Sequence, residues 1–277
     1  MEIGIFSRTY ARPSLDGVLD AIASHGLSRV HFNLKSAGVE SLPREIGDDL
    51  CSDIRGAFQR CGFTITSISA TFNAIHPDET QRRDGIDRAC HLIERTRSLG
   101  AAMVSLCTGT RDADDMWKRH PDNDLPDAWS DLLDTLGALL PAAQQHGVIL
   151  GIEPELNNVV NSAAKARRLL DELQSPHLKI ILDGANLIED VADQPRTLVE
   201  AFCLLASGIV MIHAKDVADP PAHPSQAAGK GRLDWDSYCR LIHDNCPAVP
   251  VILHNLAESE VAESVVFIKD RLAHAVS

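Results

Sequence analysis

Four side chains in the second half of the chain can ligate a divalent cation: Glu153, Asp183, His213 and His254. Each closes a short, largely apolar run, 148–152 before Glu153, 178–182 (with Lys179 within it) before Asp183, 209–212 before His213 and 251–253 before His254. Continuous apolar runs of this length are the pattern of parallel strands buried on both faces. A carboxylate at the end of such a strand is costly unless something pairs with it or ligates it, and Pro154 prevents the first run from continuing. One such residue alone reads as a strand-end cap that reaches solvent. Two carboxylates and two imidazoles at the same place in four successive runs read as one site. Mixed oxygen and imidazole donors suit a single Mn, Co, Zn, Fe or Mg ion with open positions for water or substrate.

Such convergence requires the four strands to be neighbours. Helical patterns alternate with strand patterns along the whole chain. Strands are expected at 3–6, 29–33, 64–70, 102–107 and 148–153 before the three just named, and helices at 15–25, 81–99, 126–146, 162–173, 197–205, 235–245 and 259–275, with a further one ending at Cys61. Ser14 is placed to cap the first helix. Gly26, Gly62, Gly100 and Gly147 stand where helices hand over to strands, a position that favours a left-handed residue. They recur roughly 35–45 residues apart, a length that suits one βα unit. Eight units in strict alternation over 277 residues predict an α/β chain folded as a single (β/α)8 TIM barrel domain, residues 1–277. An open doubly wound sheet is the rival, but no GxGxxG follows the first strand. In a barrel the C-terminal ends of strands five to eight share one rim. Long loops at 108–125 and 214–234 lie on that same rim, as lids over a site would.

Composition bounds the function. The net charge of −13 repels polyanions, so neither nucleic acid nor an anionic membrane is expected as a partner. Seven cysteines without a CxxC pair read as reduced thiols packed as small hydrophobes. No signal-peptide pattern and no apolar run of spanning length is present, which gives a cytoplasmic expectation.

The chain resembles the xylose isomerase-like sugar isomerases and epimerases, a (β/α)8 superfamily. The resemblance is carried by Gly151-Ile152-Glu153, by Leu182-Asp183 with Asn186 three residues on, by Ile212-His213-Ala214-Lys215-Asp216, and by residues 229–235, GKGRLDW, similar to the family's GxGxxDW loop. It implies one divalent ion held by a Glu, an Asp, a His and a second Glu from strands five to eight. Glu153, Asp183 and His213 match that set. His254 stands where the second Glu is expected, so it is either a ligand or the acid/base opposite Glu153. Glu258, four residues on, either swings in or starts the last helix.

The implied chemistry is proton abstraction beside a carbonyl of a small sugar or polyol. Glu153 is ligand and base, and Asp183 and His213 are ligands. Loss of the second Glu makes a dehydratase or other lyase, using the same enediolate, the alternative to an isomerase or epimerase. A metal-free sugar-binding barrel and the superfamily's endonuclease branch are remoter readings. Expected substrate contacts are His76, Glu155, Asn186, Lys215 and Trp117. Lys215 pairs with Asp183 or with Asp216, and Trp117 covers a sugar face or packs between subunits of a homo-oligomer. Gly229-Lys230-Gly231 reads first as a flexible lid and only weakly as a phosphate cradle, and His120 and His223 read as solvent histidines.

Overall fold

The expected alternation forms, and the sheet closes on itself. The computed structural model describes residues 1–218 and 225–275. Seven parallel strands come first: β1 (Ile3–Phe6), β2 (Arg29–Phe32), β3 (Thr64–Ser69), β4 (Met103–Cys107), β5 (Ile149–Glu153), β6 (Leu178–Asp183) and β7 (Ile209–Asp216). A two-residue strand, β8 (Gln226–Ala227), turns back antiparallel on β7, and the eighth stave of the barrel is β9 (Val251–Leu253). Each stave pairs with its neighbour, and β7–β9 and β9–β1 pairing completes the ring. Eight helices surround it: α1 (Leu15–Ser24), α2 (Asp48–Cys61), α3 (Glu79–Arg95), α4 (Pro126–His146), α5 (Ala163–Leu173), α6 (Gln194–Leu205), α7 (Trp235–Asn245) and α8 (Val261–His274).

Local chemistry sets these boundaries. Ser14 and Ser162 cap α1 and α5 through hydroxyls that accept the Gly17 and Lys165 amides, each at 3.2 Å. Gly147 ends α4 at φ 63°, a conformation that other residues adopt at a cost. Each helix buries one apolar stripe; α5 buries Ala163, Ala166 and Leu169 against the sheet.

Some boundaries differ from expectation. Asp78 caps α3, accepting from Thr80 and Gln81, so that helix starts two residues early and ends at Arg95. Strand β7 runs three residues past His213, because Lys215 and Asp216 still pair with Ala227 and Gln226. Neither β8 nor the 3-10 turn Pro121–Asp124 carries a periodicity long enough to read. His223 lies outside the described residues.

The interior of the barrel is built in layers, because alternate residues of a strand face the same way. Met103, Ile181, Met211 and Ile252 form a closed apolar layer, and Gly151 leaves room for Ile181 and Met103 beside it. Two residues further along each strand, the chain places Ser105, Asp183, His213, His254 and Glu153. Register sets Asp183 directly opposite His213, while Glu153 stands opposite Cys107 and His213 opposite Ile252, so the staves are staggered around the mouth. His254 follows β9 directly and is fixed by its amide, which donates to Ala214 O at 3.2 Å.

Candidate metal centre

Glu153, Asp183 and His213 meet at the C-terminal mouth of the barrel, each offering a ligand atom within 4.8 Å of the others. His213 is fully buried, and its Nδ1 lies 3.0 Å from Glu153 Oε1. A carboxylate only accepts, so Nδ1 carries the hydrogen, and Nε2 is the ring atom left without a partner. Asn186 donates to the same carboxylate oxygen at 2.8 Å. The Ala185 amide holds Asp183 Oδ1 at 3.0 Å, and Lys215 Nζ stands 3.3 Å from Oδ2, an ion pair without hydrogen-bond geometry. Tyr238 backs this corner by accepting the Gly184 amide at 3.0 Å.

A second group of three shares His213. His31, His213 and His254 each offer a ring nitrogen within 4.8 Å of the other two. The His213 and His254 rings stack at 4.5 Å, and Phe6 lies against both His31 and His254, at 4.8 and 4.9 Å. His31 was invisible in the sequence. It sits inside a short strand, RVHF, and only barrel closure brings it beside strands seven and eight. An inward-facing polar residue at the C-terminal end of a strand was the one signal available for it.

Burial and neighbouring charge set the protonation states. Burial would raise the Glu153 carboxyl, but His213, Lys215 and His254 outweigh it and hold it well below the usual range. Burial raises Asp183. It would lower Lys215, but Asp183, Glu153 and Glu155 outweigh it and raise the ammonium. Burial, then the nearby Glu153 charge, pushes Glu155 up to about 8. Burial lowers both His31, to about 3, and His254, leaving neutral imidazoles.

A divalent ion fits these donors. Asp183 Oδ2, His213 Nε2, His254 Nδ1 and His31 Nδ1 are all buried without a hydrogen-bond partner. Each bare ring nitrogen costs about 1–3 kcal/mol, while Asp183 Oδ2 keeps its ion pair with Lys215. Above them opens a cavity of about 860 Å³, lined by His31, Glu153, Glu155, Asn186, Lys215 and His254, with Trp117 at its rim. Hydroxyls and amides of Ser69, Thr71, Asn33 and Asn255 line it further.

The structure does not bring every expected contact there. His76 does not line the cavity. Its Nε2 lies 3.1 Å from Ala113 O and its Nδ1 accepts the Asp78 amide at 3.0 Å, so the ring ties the 108–125 loop to the start of α3. Gly229-Lys230-Gly231 does not cradle an external phosphate, because the loop wraps the chain's own Asp216. That carboxylate accepts from the amides of Val217, Gly229 and Leu233 and from Trp235 Nε1, at 2.8–3.0 Å. A Cβ on Gly231 would strike Asp216 and Val217 O. Lys215 therefore pairs with Asp183 and not with Asp216. Glu258 is held away by Arg12 at 2.9 Å. Trp117 is 49% exposed, and its carbonyl accepts from Asn157 at 2.9 Å. All seven cysteines are free, and no helix among the described residues is long and apolar enough to cross a membrane.

The profile of the xylose isomerase-like TIM barrels matches residues 19–268. No curated protein matches the sequence. Among solved structures, L-ribulose 3-epimerase is similar with a TM-score of 0.78 at 17% identity, over 100% of this chain and 96% of that one. The 3-keto-D-glucoside 4-epimerase YcjR from E. coli has a TM-score of 0.75 at 17% identity, over 98% and 99%. The IOLI protein, whose structure has a bound zinc atom, has a TM-score of 0.73 at 17% identity, over 100% and 98%. At these identities the likeness establishes the fold.

Proposed function

The chain belongs to the xylose isomerase-like TIM barrel family, and from that premise we propose that it is a divalent-metal-dependent sugar isomerase or epimerase that abstracts a proton beside a carbonyl. The observation that carries the reading is the meeting of Glu153, Asp183 and His213, with buried atoms that lack hydrogen-bond partners, beside a cavity roomy enough for a sugar. Glu153, Asp183, His213 and His254 would hold the ion. When bound, the ion would supply Lewis-acid stabilisation of the negative charge that develops on the substrate oxygens. Glu153, kept ionised by its cationic and imidazole neighbours, takes the proton. His254 faces the same cavity, and if it does not bind the ion it is the acid/base opposite Glu153. Glu155, Asn186 and Lys215 bind substrate hydroxyls, and Trp117 covers the sugar from the rim.

His254 supports a second reading. An imidazole opposite one carboxylate is a pair of unequal groups, suited to removing a proton on one side and protonating a leaving hydroxyl on the other. The same site would then dehydrate a keto-sugar or inosose.

Incubation of the metal-loaded protein with a panel of keto-sugars in deuterated solvent tests both readings. Deuterium incorporated beside the carbonyl, with recovery of an isomer or epimer, is the expected result. A new ultraviolet-absorbing enone would favour dehydration. No exchange with any keto-sugar would remove the proton-abstraction reading altogether.

A further inference from the structure

Resting on the reading that a divalent ion occupies this centre, we infer that His31 is one of its ligands, and that the ion sits against an imidazole face made by His31, His213 and His254. Three observations converge on this. One ring nitrogen from each of these residues lies within 4.8 Å of those from the other two. In each ring one buried nitrogen has no hydrogen-bond partner: His31 Nδ1, His213 Nε2 and His254 Nδ1. In two of the rings the other nitrogen is already anchored, as ligating histidines require, by Ser105 Oγ at 2.9 Å for His31 and by Glu153 Oε1 at 3.0 Å for His213.

The alternative use of these residues is simple packing. Three neighbouring imidazoles that each bury a nitrogen without a hydrogen-bond partner make a poor core. Both His31 and His254 also line the cavity, so an ion bound to these rings would lie beside the space a substrate would occupy. Phe6 packs on both rings and fixes their planes.

A centre richer in nitrogen than in oxygen selects differently among metals. Imidazole suits Zn, Fe, Co, Ni and Cu, whereas Mg and Mn prefer carboxylate, carbonyl and water. Glu153, bound through hydrogen to His213, then acts partly by orienting that ring.

The test is X-ray absorption spectroscopy of the zinc-loaded, full-length protein, with zinc titration of wild type and His31→Gln. Three imidazole scatterers per zinc are expected in wild type and two in His31→Gln, with zinc affinity falling at least about tenfold. One or two imidazoles in wild type, or an unchanged affinity and spectrum in the variant, would overturn the role of His31 while leaving a metal centre in place. Failure of wild type to bind zinc, cobalt, manganese or magnesium would overturn this inference and the metal reading together. If His31→Gln does not fold, the wild-type scatterer count decides alone.

Discussion

At the scale of single residues, Glu153 and Lys215 are the most exposing tests. Glu153→Gln keeps the size and the Asn186 contact but removes the base. Turnover should fall about 10²–10⁴-fold, the usual contribution of one acid/base group, while thermal melting shifts little; full activity in this variant would remove Glu153 from the mechanism. Lys215 has a different role, because it is the buried cation beside Asp183. Lys215→Met leaves that carboxylate buried without its ion pair, so stability of the metal-free protein should drop by about 3–5 kcal/mol, read by urea unfolding. Added ion should restore part of that loss by taking over the charge of Asp183. His213 and Asp183 were legible in the sequence because each ends a long apolar run. His31 and the true partners of His76 were not, since neither follows from residue type and spacing within one segment.

At the scale of elements, the two loops over the site are held by internal carboxylates. Asp216 receives four N–H donors from the loop that follows it and from Trp235 at the start of α7, so Asp216→Asn turns one acceptor into a donor that faces donors. The 225–235 segment should become sensitive to limited proteolysis, and an unchanged digestion pattern would contradict the assignment. In the 108–125 loop, Lys118 and the amides of Asp115 and Asp114 hold the Asp112 carboxyl down to about 2. Its folded value lies below the usual unfolded value of about 3.9. Its contribution is therefore present above about pH 4 and is lost as pH falls toward 2. Fluorescence of Trp117, which that loop carries, should report loosening in this window, and Asp112→Asn should abolish the transition there. The motif GKGRLDW was readable as a loop signature, but its bound anion proved to be a residue of the same chain. Spacing cannot reveal this, because the carboxylate arrives from the preceding strand.

At the scale of the whole molecule, alternating helix and strand signals were enough to give the barrel, since eight units with handover glycines leave few other ways to bury continuous apolar strands. What they could not give was the inner layer order. Which polar residues share the mouth depends on register between neighbouring strands, and a single strand carries no information about register. The β8 return and the extra length of β7 escaped for the same reason, being fixed by pairing and not by pattern. The barrel and its centre are coupled energetically, because buried polar atoms from β2, β6, β7 and the residue after β9 have no hydrogen-bond partner within the protein. An ion that binds only the folded chain should add about 2.7 kcal/mol at a hundred times its dissociation constant, seen as a rise in melting temperature that depends on ion concentration.

The central claim is that these staves converge to hold one divalent ion. Elemental analysis of the chelator-stripped protein, reloaded with excess zinc and passed through gel filtration beside an Asp183→Asn, His213→Gln double variant, tests it most directly. One equivalent of zinc retained by wild type and little by the variant is the predicted result. Equal retention by both proteins, or none by wild type, would contradict it.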